Sequence, residues 1–322
     1  MTHWGLLSTA RINRRIVAAA RESVEIELVA VASREQARAE EYARANGIER
    51  AYGSYTELLA DEDVEAVYIP LPNSMHVEWS VRALEAGKHV LCEKPLARSA
   101  AEAERAFEAA ERTGRLLEEA FMYRHNPQTV RLKGLVDEGS VGRVRLVRVV
   151  FSFPVQGEGN IRLLPELDGG ALTDVGCYCV SGARLFCGEP ELVSAEAVMG
   201  PTGVDEVFAG LLRFPGGVLA QLHCGLVLPF QDELEVIGED GSLFVDDPWL
   251  CWSPGIELRR GEEVERIPVE PANSYRLELE RFGAAMRGEG RLLLGREESV
   301  AQARVLEALG RSAAEGMPVT PG

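Results

Sequence analysis

The feature that most constrains this chain is a regular alternation, across its first 120 residues, of short apolar runs and helix-length amphipathic segments. The runs lie at 4–7, 26–32, 64–69, 89–92 and 115–120. Between them, segments at 11–22, 35–46, 74–85 and 99–112 carry apolar residues at helical spacing, as Ile12, Ile16, Val17 and Ala20 do in the first. Gly47 ends one of these helices in the manner of a C-cap, and Gly87 and Gly114 follow two others. Strands joined through helices need right-handed crossovers and run parallel. The expected architecture is a doubly wound sheet of the nucleotide-binding kind, with its ligand at the carboxyl ends of the strands.

The pattern changes after residue 121. A helical segment at 128–138 leads into 144–153, where apolar and polar residues partly alternate, and helical spacing returns at 170–186. Strand-like runs follow at 192–198, 207–214, 218–222, 234–237, 242–245 and 256–258, and helices at 275–287 and 297–315 end the chain. Turn signals such as Pro215-Gly216-Gly217 separate most of the strands. The fold class is therefore α/β, with a Rossmann domain over 1–121 and an α+β domain with a mostly antiparallel sheet over 122–322.

Composition narrows the partners. Thirty-four basic residues against 51 acidic ones give a net charge of −17, which argues against nucleic acid and anionic membranes. No apolar run approaches the roughly 20 residues of a membrane span, and the N-terminus carries no signal pattern, so a cytoplasmic protein is expected. The six cysteines form no Cys-x-x-Cys and have no neighbouring His pair, so no metal site is expected.

A dinucleotide site would place a glycine fingerprint in the turn after the first strand. Here the turn reads Ser8-Thr9-Ala10-Arg11-Ile12-Asn13, and Ser, Ala and Asn replace the three glycines. Ser8 and Ala10 are small enough for close backbone approach, and the helix start still offers N–H groups to a pyrophosphate. On this turn alone, a plain strand–helix connection stands equally. The second strand ends Ala32-Ser33-Arg34. An NAD-preferring fold would put a carboxylate there, whereas a hydroxyl and a guanidinium suit a 2′-phosphate. That favours NADP, against the alternative of Ser33 as a helix cap followed by a surface Arg.

One further stretch stands out: Gly87-Lys88-His89-Val90-Leu91-Cys92-Glu93-Lys94-Pro95-Leu96. Lys occurs only at 88, 94 and 133 in a chain that otherwise uses Arg. Lys is a compact donor whose pKa moves readily, while Arg holds its charge. Lys94 thus reads either as a tunable donor or as an ordinary salt-bridged residue at a strand end.

These stretches, with Pro72-Asn73-Ser74-Met75-His76, Glu119-Ala120-Phe121-Met122-Tyr123-Arg124 and Gly169-Gly170-Ala171-Leu172-Thr173-Asp174-Val175-Gly176-Cys177-Tyr178, resemble the glucose–fructose oxidoreductase / inositol dehydrogenase (Gfo/Idh/MocA) family. The match is nearest its NADP-linked branch of D-xylose and dihydrodiol dehydrogenases. The resemblance implies hydride transfer between NADP and a sugar or polyol, with Lys94, Asp174 and Tyr178 catalytic. Tyr178 would move the substrate proton, aided by the Lys94 ammonium, and Asp174 would orient the substrate or Lys94. Asp174 and Tyr178, four apart in a helical stretch, would share one face; a first-turn acid and a core aromatic are the plainer alternatives. The implied cofactor-binding set is Ser8, Thr9, Ala10, Arg11, Ile12, Ser33, Arg34, Arg38, Leu71, Asn73, His76, Glu93 and Lys94, with His76 also readable as a structural cap. Arg124 and Asn126 would line the substrate pocket. A homodimer or higher oligomer through the C-terminal sheet is implied as well. The rival activities are a dihydrodiol dehydrogenase or carbonyl reductase and, outside enzymes, an NADPH-binding sensor.

Overall fold

The structure is a computed structural model that describes residues 1–157 and 159–322. The chain folds into two compact units. The first comprises 1–97, 101–122 and 273–300, and the second comprises 98–100, 123–272 and 301–322. The expected division at 121/122 is corrected in one respect: residues 273–300 return to the first unit. The reason is packing. Leu279 and Phe282, both fully buried, join the core around Trp4, and the Phe282 ring lies 5.3 Å from the Trp4 ring.

The first unit is built on six parallel strands: β1 (Thr2–Leu6), β2 (Ile26–Ala32), β3 (Arg50–Tyr52), β4 (Ala66–Ile69), β5 (His89–Glu93) and β6 (Leu117–Ala120). Their order is β3-β2-β1-β4-β5-β6, the doubly wound order. Helices α1 (Asn13–Glu22), α2 (Gln36–Asn46), α3 (Tyr55–Leu59), α4 (His76–Glu85) and α5 (Ala100–Thr113) connect them. β3 and α3 had no sequence counterpart, being three and five residues long. Gly47 takes a left-handed conformation (φ 73°) and ends α2 as expected.

The second unit carries an eight-stranded sheet. Its strands are β7 (Val144–Ser152), β8 (Leu192–Met199), β9 (Asp205–Phe214), β10 (Val218–Gly225), β11 (Gln231–Gly238), β12 (Ser242–Val245), β13 (Gly255–Arg260) and β14 (Glu263–Pro268). The order is β14-β13-β12-β11-β7-β10-β9-β8, and among the described residues every neighbouring pair is antiparallel except β7 with β10. Helix α6 (Pro127–Asp137) precedes the sheet, and α7 (Cys177–Cys187) lies against β7 and β10. The expected helix over 170–186 is interrupted. Residues Leu172–Gly176 form a π turn and α7 starts only at Cys177, so Asp174 and Tyr178 are not related by a plain α-helical step. Such π segments tend to occur at functional sites.

Candidate functional site

In the first unit the candidate residues gather at the carboxyl ends of the strands. The turn after β1 manages without its glycines through two side chains. The Ser8 hydroxyl accepts from the Ala10 amide at 3.2 Å and lies 3.4 Å from the Pro70 carbonyl. Asn13, fully buried at the third glycine position, donates from Nδ2 to the Ser8 carbonyl at 2.7 Å. Asn13 was absent from the expected site; a buried Asn in place of a glycine was the available signal. Ile12 occupies the N-cap of α1 without a side-chain cap bond, and the first turn holds no acid. The amides of Asn13, Arg14 and Arg15 donate to the Ala10, Arg11 and Ile12 carbonyls, and the positive end of the helix dipole, with Thr9 and Arg11 beside it, suits a pyrophosphate.

At the end of β2, Ser33 is buried and does not cap α2; the N-cap is Glu35. The Ser33 hydroxyl instead accepts from the Glu35 amide at 3.5 Å, shaping the turn. Arg34 and Arg38 are exposed. Both lie close enough to Tyr55 that their charges oppose the burial that raises its phenol pKa. Two guanidiniums beside an aromatic edge, with Ser33 and no carboxylate directly after the strand, fit a phosphorylated ribose.

The loops after β4 and β5 are tied together. His76, 1% exposed, sets Nδ1 at 2.7 Å from the Pro95 carbonyl and Nε2 at 2.8 Å from the Leu71 carbonyl. Burial pushes its pKa down to about 4, with the two carbonyls offsetting only part and the Lys94 charge adding to the drop. His76 is thus a strut between the loops that carry Leu71 and Lys94. Asn73 opens the short 3-10 turn Asn73–Met75 that precedes it. Glu93 accepts from the Tyr68 hydroxyl and, at 3.3 Å, from the Lys94 amide. Lys94 is half-buried and precedes Pro95 through a cis peptide bond. Its neighbour Lys88 has a structural task, donating to the Asp61 and Val64 carbonyls at 2.6 and 2.8 Å.

In the second unit Tyr178, 6% exposed, is enclosed by other rings. Phe151 meets it edge-on at 5.3 Å, with Trp249 at 5.9 Å and Tyr123 at 6.0 Å. Asp174, 9% exposed, accepts from Arg162 Nε at 2.6 Å. Phe151, Tyr123 and Trp249 were missed by sequence reasoning because each reaches α7 from a distant part of the chain, and Arg162, which meets Asp174 in the π turn from twelve residues upstream, was missed as well. Arg124 Nη1 lies 3.5 Å from the Ser181 hydroxyl. Asn126 is fully buried as the N-cap of α6: its Oδ1 accepts from the Gln128 amide at 2.9 Å, and its Nδ2 donates to the Ala272 carbonyl at 3.3 Å. Asn followed by Pro is a helix-start signature, and the side chain expected in the pocket serves as this cap.

Family models match both parts of the chain: "Oxidoreductase family, NAD-binding Rossmann fold" over residues 4–121, and the "GFO/IDH/MocA C-terminal domain" over 129–244. The chain belongs to the GFO/IDH/MocA oxidoreductase family. Among curated relatives, this GFO/IDH/MocA protein is 40% identical to D-xylose 1-dehydrogenase (NADP(+)) 2 of Haloferax volcanii, over 98% of each chain. It is 34% identical to trans-1,2-dihydrobenzene-1,2-diol dehydrogenase of Xenopus laevis, over 84% of each. Among solved structures, KijD10, a 3-ketoreductase from Actinomadura kijaniata in complex with NADP and TDP-benzene, superposes with a TM-score of 0.91 at 33% identity over 97% of each chain. Among the described residues of this family member, no helix is long and apolar enough to cross a membrane, and no cluster of His, Cys, Asp and Glu could hold a metal ion.

Proposed function

We propose that this oxidoreductase transfers a hydride between NADP and a carbinol or carbonyl carbon of a sugar or polyol, with an aldose of the D-xylose type as the favoured substrate. The observation that carries this reading is the 40% identity, over 98% of each chain, to an NADP-linked D-xylose dehydrogenase. Ser33 in place of a carboxylate directly after β2, with Arg34, Arg38 and Tyr55 grouped there, supports NADP over NAD. Bound NADP supplies the hydride acceptor, or in reverse the donor. The Asn13-braced turn and the start of α1 hold its pyrophosphate, and Arg34 and Arg38 its 2′-phosphate.

Tyr178 takes the proton from the reacting hydroxyl in oxidation and returns it in reduction. An ordinary phenol, with a pKa of about 10, is a weak base at neutral pH, so a cation that stabilises the developing oxyanion raises its effectiveness. Lys94 is that cation. Asp174, fixed by Arg162, orients the substrate hydroxyls. A second reading, carbonyl reduction on a sugar, draws support from the likeness to KijD10 and uses the same residues in the reverse direction. The protein acts in the cytoplasm. It associates through the eight-stranded sheet, whose exposed apolar side chains include Val198, Met199, Leu211, Leu219 and Val264.

The test is nicotinamide absorbance with purified protein, NADP⁺ or NADPH, and a panel of aldoses, polyols, diols and keto sugars. Turnover with D-xylose or another aldose is expected. Binding of NADPH with no turnover on any member of the panel would overturn the reading in favour of a sensor. Tyr178→Phe is expected to lower kcat by about 10³ with NADPH affinity unchanged.

A further inference from the structure

The side chains that enclose Tyr178 lead to a residue well removed from it. Trp249 sits in the loop between β12 and β13 and is 0% exposed. Its indole packs edge-on against Tyr123 at 5.1 Å and tilted against Tyr178 at 5.9 Å. The residue is fixed at three points. Its Nε1 donates to the Val150 carbonyl at 2.9 Å. Its six-membered ring rests on Gly182, one α-helical turn beyond Tyr178 on α7, where an added Cβ would stand 2.6 Å from Cη2. Its backbone amide donates to Asp232 Oδ1 at 3.3 Å.

Asp232 lies on β11, 3% exposed and opposite Phe151 in the sheet register. Among the described residues no salt bridge accounts for a carboxylate buried there, and its Oδ2 has no hydrogen-bond partner. The backbone amides of Trp249 and Leu250 are what face it. The same loop is staked from α6, where Gln128 donates to the Asp247 carbonyl at 2.8 Å and accepts from the Gly255 amide at 2.7 Å. The loop is therefore a clamp whose apex is the indole.

We propose that Asp232 is a positioning residue for Tyr178: it fixes the loop that seats Trp249, and Trp249 fixes the plane of the phenol ring. The proposal rests on the reading of Tyr178 as the acid–base residue. Proton transfer demands a narrow geometry, and a misplacement of about 1 Å can cost about a hundredfold in rate. A phenol pivots about its Cβ–Cγ bond, and the rings packed against it, Phe151 edge-on and Trp249 and Tyr123 tilted, restrict that freedom. The buried acid also has a charge environment of its own. Burial, followed by the neighbouring Asp247 and then Asp246, drives its pKa up to about 8, while the Trp249 and Leu250 amides pull the other way. A neutral carboxyl keeps its carbonyl oxygen as an acceptor for the Trp249 amide.

The experiment compares kcat and KM, with NADP⁺ and D-xylose, for the wild type, Tyr178→Phe, Trp249→Phe, Asp232→Ala, Asp232→Asn and the Trp249→Phe/Asp232→Ala double variant, with cooperative melting as the folding control. Expected is a drop of about tenfold in kcat for Trp249→Phe and for Asp232→Ala, with KM for NADP⁺ unchanged. The double variant should lose no more than Trp249→Phe alone. Asp232→Asn, which keeps the acceptor oxygen, should restore kcat to within about twofold. A parallel measurement needs no turnover. In protein labelled with 3-fluorotyrosine, the ¹⁹F resonance lost in Tyr178→Phe should shift in Asp232→Ala as it does in Trp249→Phe. Folded variants with wild-type kcat and an unmoved resonance would overturn the proposal, and so would losses that multiply in the double variant. Full turnover by Tyr178→Phe would instead overturn the role of Tyr178 itself, leaving the resonance shift to decide whether Asp232 reaches the ring.

Discussion

The strand ends of the first unit and the inner side of α7 in the second hold their polar side chains in opposite ways. In the first, backbone does the holding. His76 bridges the Leu71 and Pro95 carbonyls, Lys88 donates to two carbonyls, and Glu119 Oε1 accepts from the Leu96 amide at 2.9 Å. In the second, side chains hold side chains: Tyr178 stands among Phe151, Tyr123 and Trp249, and Asp174 is gripped by Arg162. A backbone-held residue depends on the loop shape and on its own hydrogen-bonding atoms. A side-chain-held residue depends on partners from several distant strands, so a change in any of them reaches it. The two regions should therefore fail differently when they are altered.

The largest effect is expected at the backbone-held strut. His76→Leu removes the single N–H that the neutral ring donates to one of the two buried carbonyls, at about 2–3 kcal/mol of stability at pH 7. The strut is also sensitive to pH. An unfolded chain protonates this ring below about 6.5, whereas the folded protein keeps it neutral down to about 4. The unfolded state thus binds more protons between those values, and stability falls as the pH drops through that window, by about 3 kcal/mol. Urea unfolding at pH 7, 6, 5 and 4 checks both effects. The stability difference between wild type and His76→Leu should shrink toward zero as the pH falls, and a constant difference would assign the strut no titration.

The next effect probes the side-chain-held region. Gly182→Ala puts a methyl group 2.6 Å from Trp249 Cη2 and 3.1 Å from Cζ3, closer than packed carbons tolerate. The indole is buried and hydrogen-bonded at Nε1, so it cannot step aside cheaply. A cost of about 1–3 kcal/mol is expected, with a fall in kcat because the ring that moves is the one against Tyr178. Chemical denaturation and steady-state kinetics on the same preparation check this. Lost stability at full kcat would mean that the enclosure of Tyr178 tolerates displacement, and the contrast between the regions would weaken.

The same contrast explains what could be read in the sequence. The parallel sheet was legible because each strand–helix pair is a local unit with its own periodicity, and Gly47 and Gly87 mark the helix ends by their backbone conformation. The run around Lys94 was legible because its chemistry sits in consecutive residues. β3 and α3 escaped because three or five residues do not complete a period. The cap role of Asn126 was legible in the Pro after it, although the residue was read only as part of the pocket. The enclosure of Tyr178 was illegible for a stronger reason. Phe151 comes from β7, Trp249 from the loop after β12 and Asp232 from β11, and a buried aromatic or acid carries no local mark of what it will touch.

A buried acid in the first unit gives the smallest effect and the clearest sign. Glu278, in the helix Ser274–Met286, is fully buried, and neither carboxyl oxygen has a hydrogen-bond partner. Burial first, then the charges of Glu93 and Glu118, hold its pKa well above the usual carboxylate range. The unfolded chain releases this proton near pH 4.5, while the folded protein retains it. The contribution of Glu278 to stability is therefore lost as the pH rises above about 4.5, and the loss grows until the folded group itself ionises. In the second unit the buried Arg184 is matched instead, with Glu189 at 2.6 Å and Gln302 at 3.0 Å. Replacing an unmatched buried acid with an apolar residue of similar length removes a burden, so Glu278→Met should gain about 1 kcal/mol at pH 6 and more at pH 8. Melting temperatures at the two pH values check this. A gain that increases with pH marks Glu278 as an uncompensated acid within a backbone-held region. Lower stability at both values would mean that its proton is engaged by the groups around it, and that the first unit too relies on side chains holding side chains.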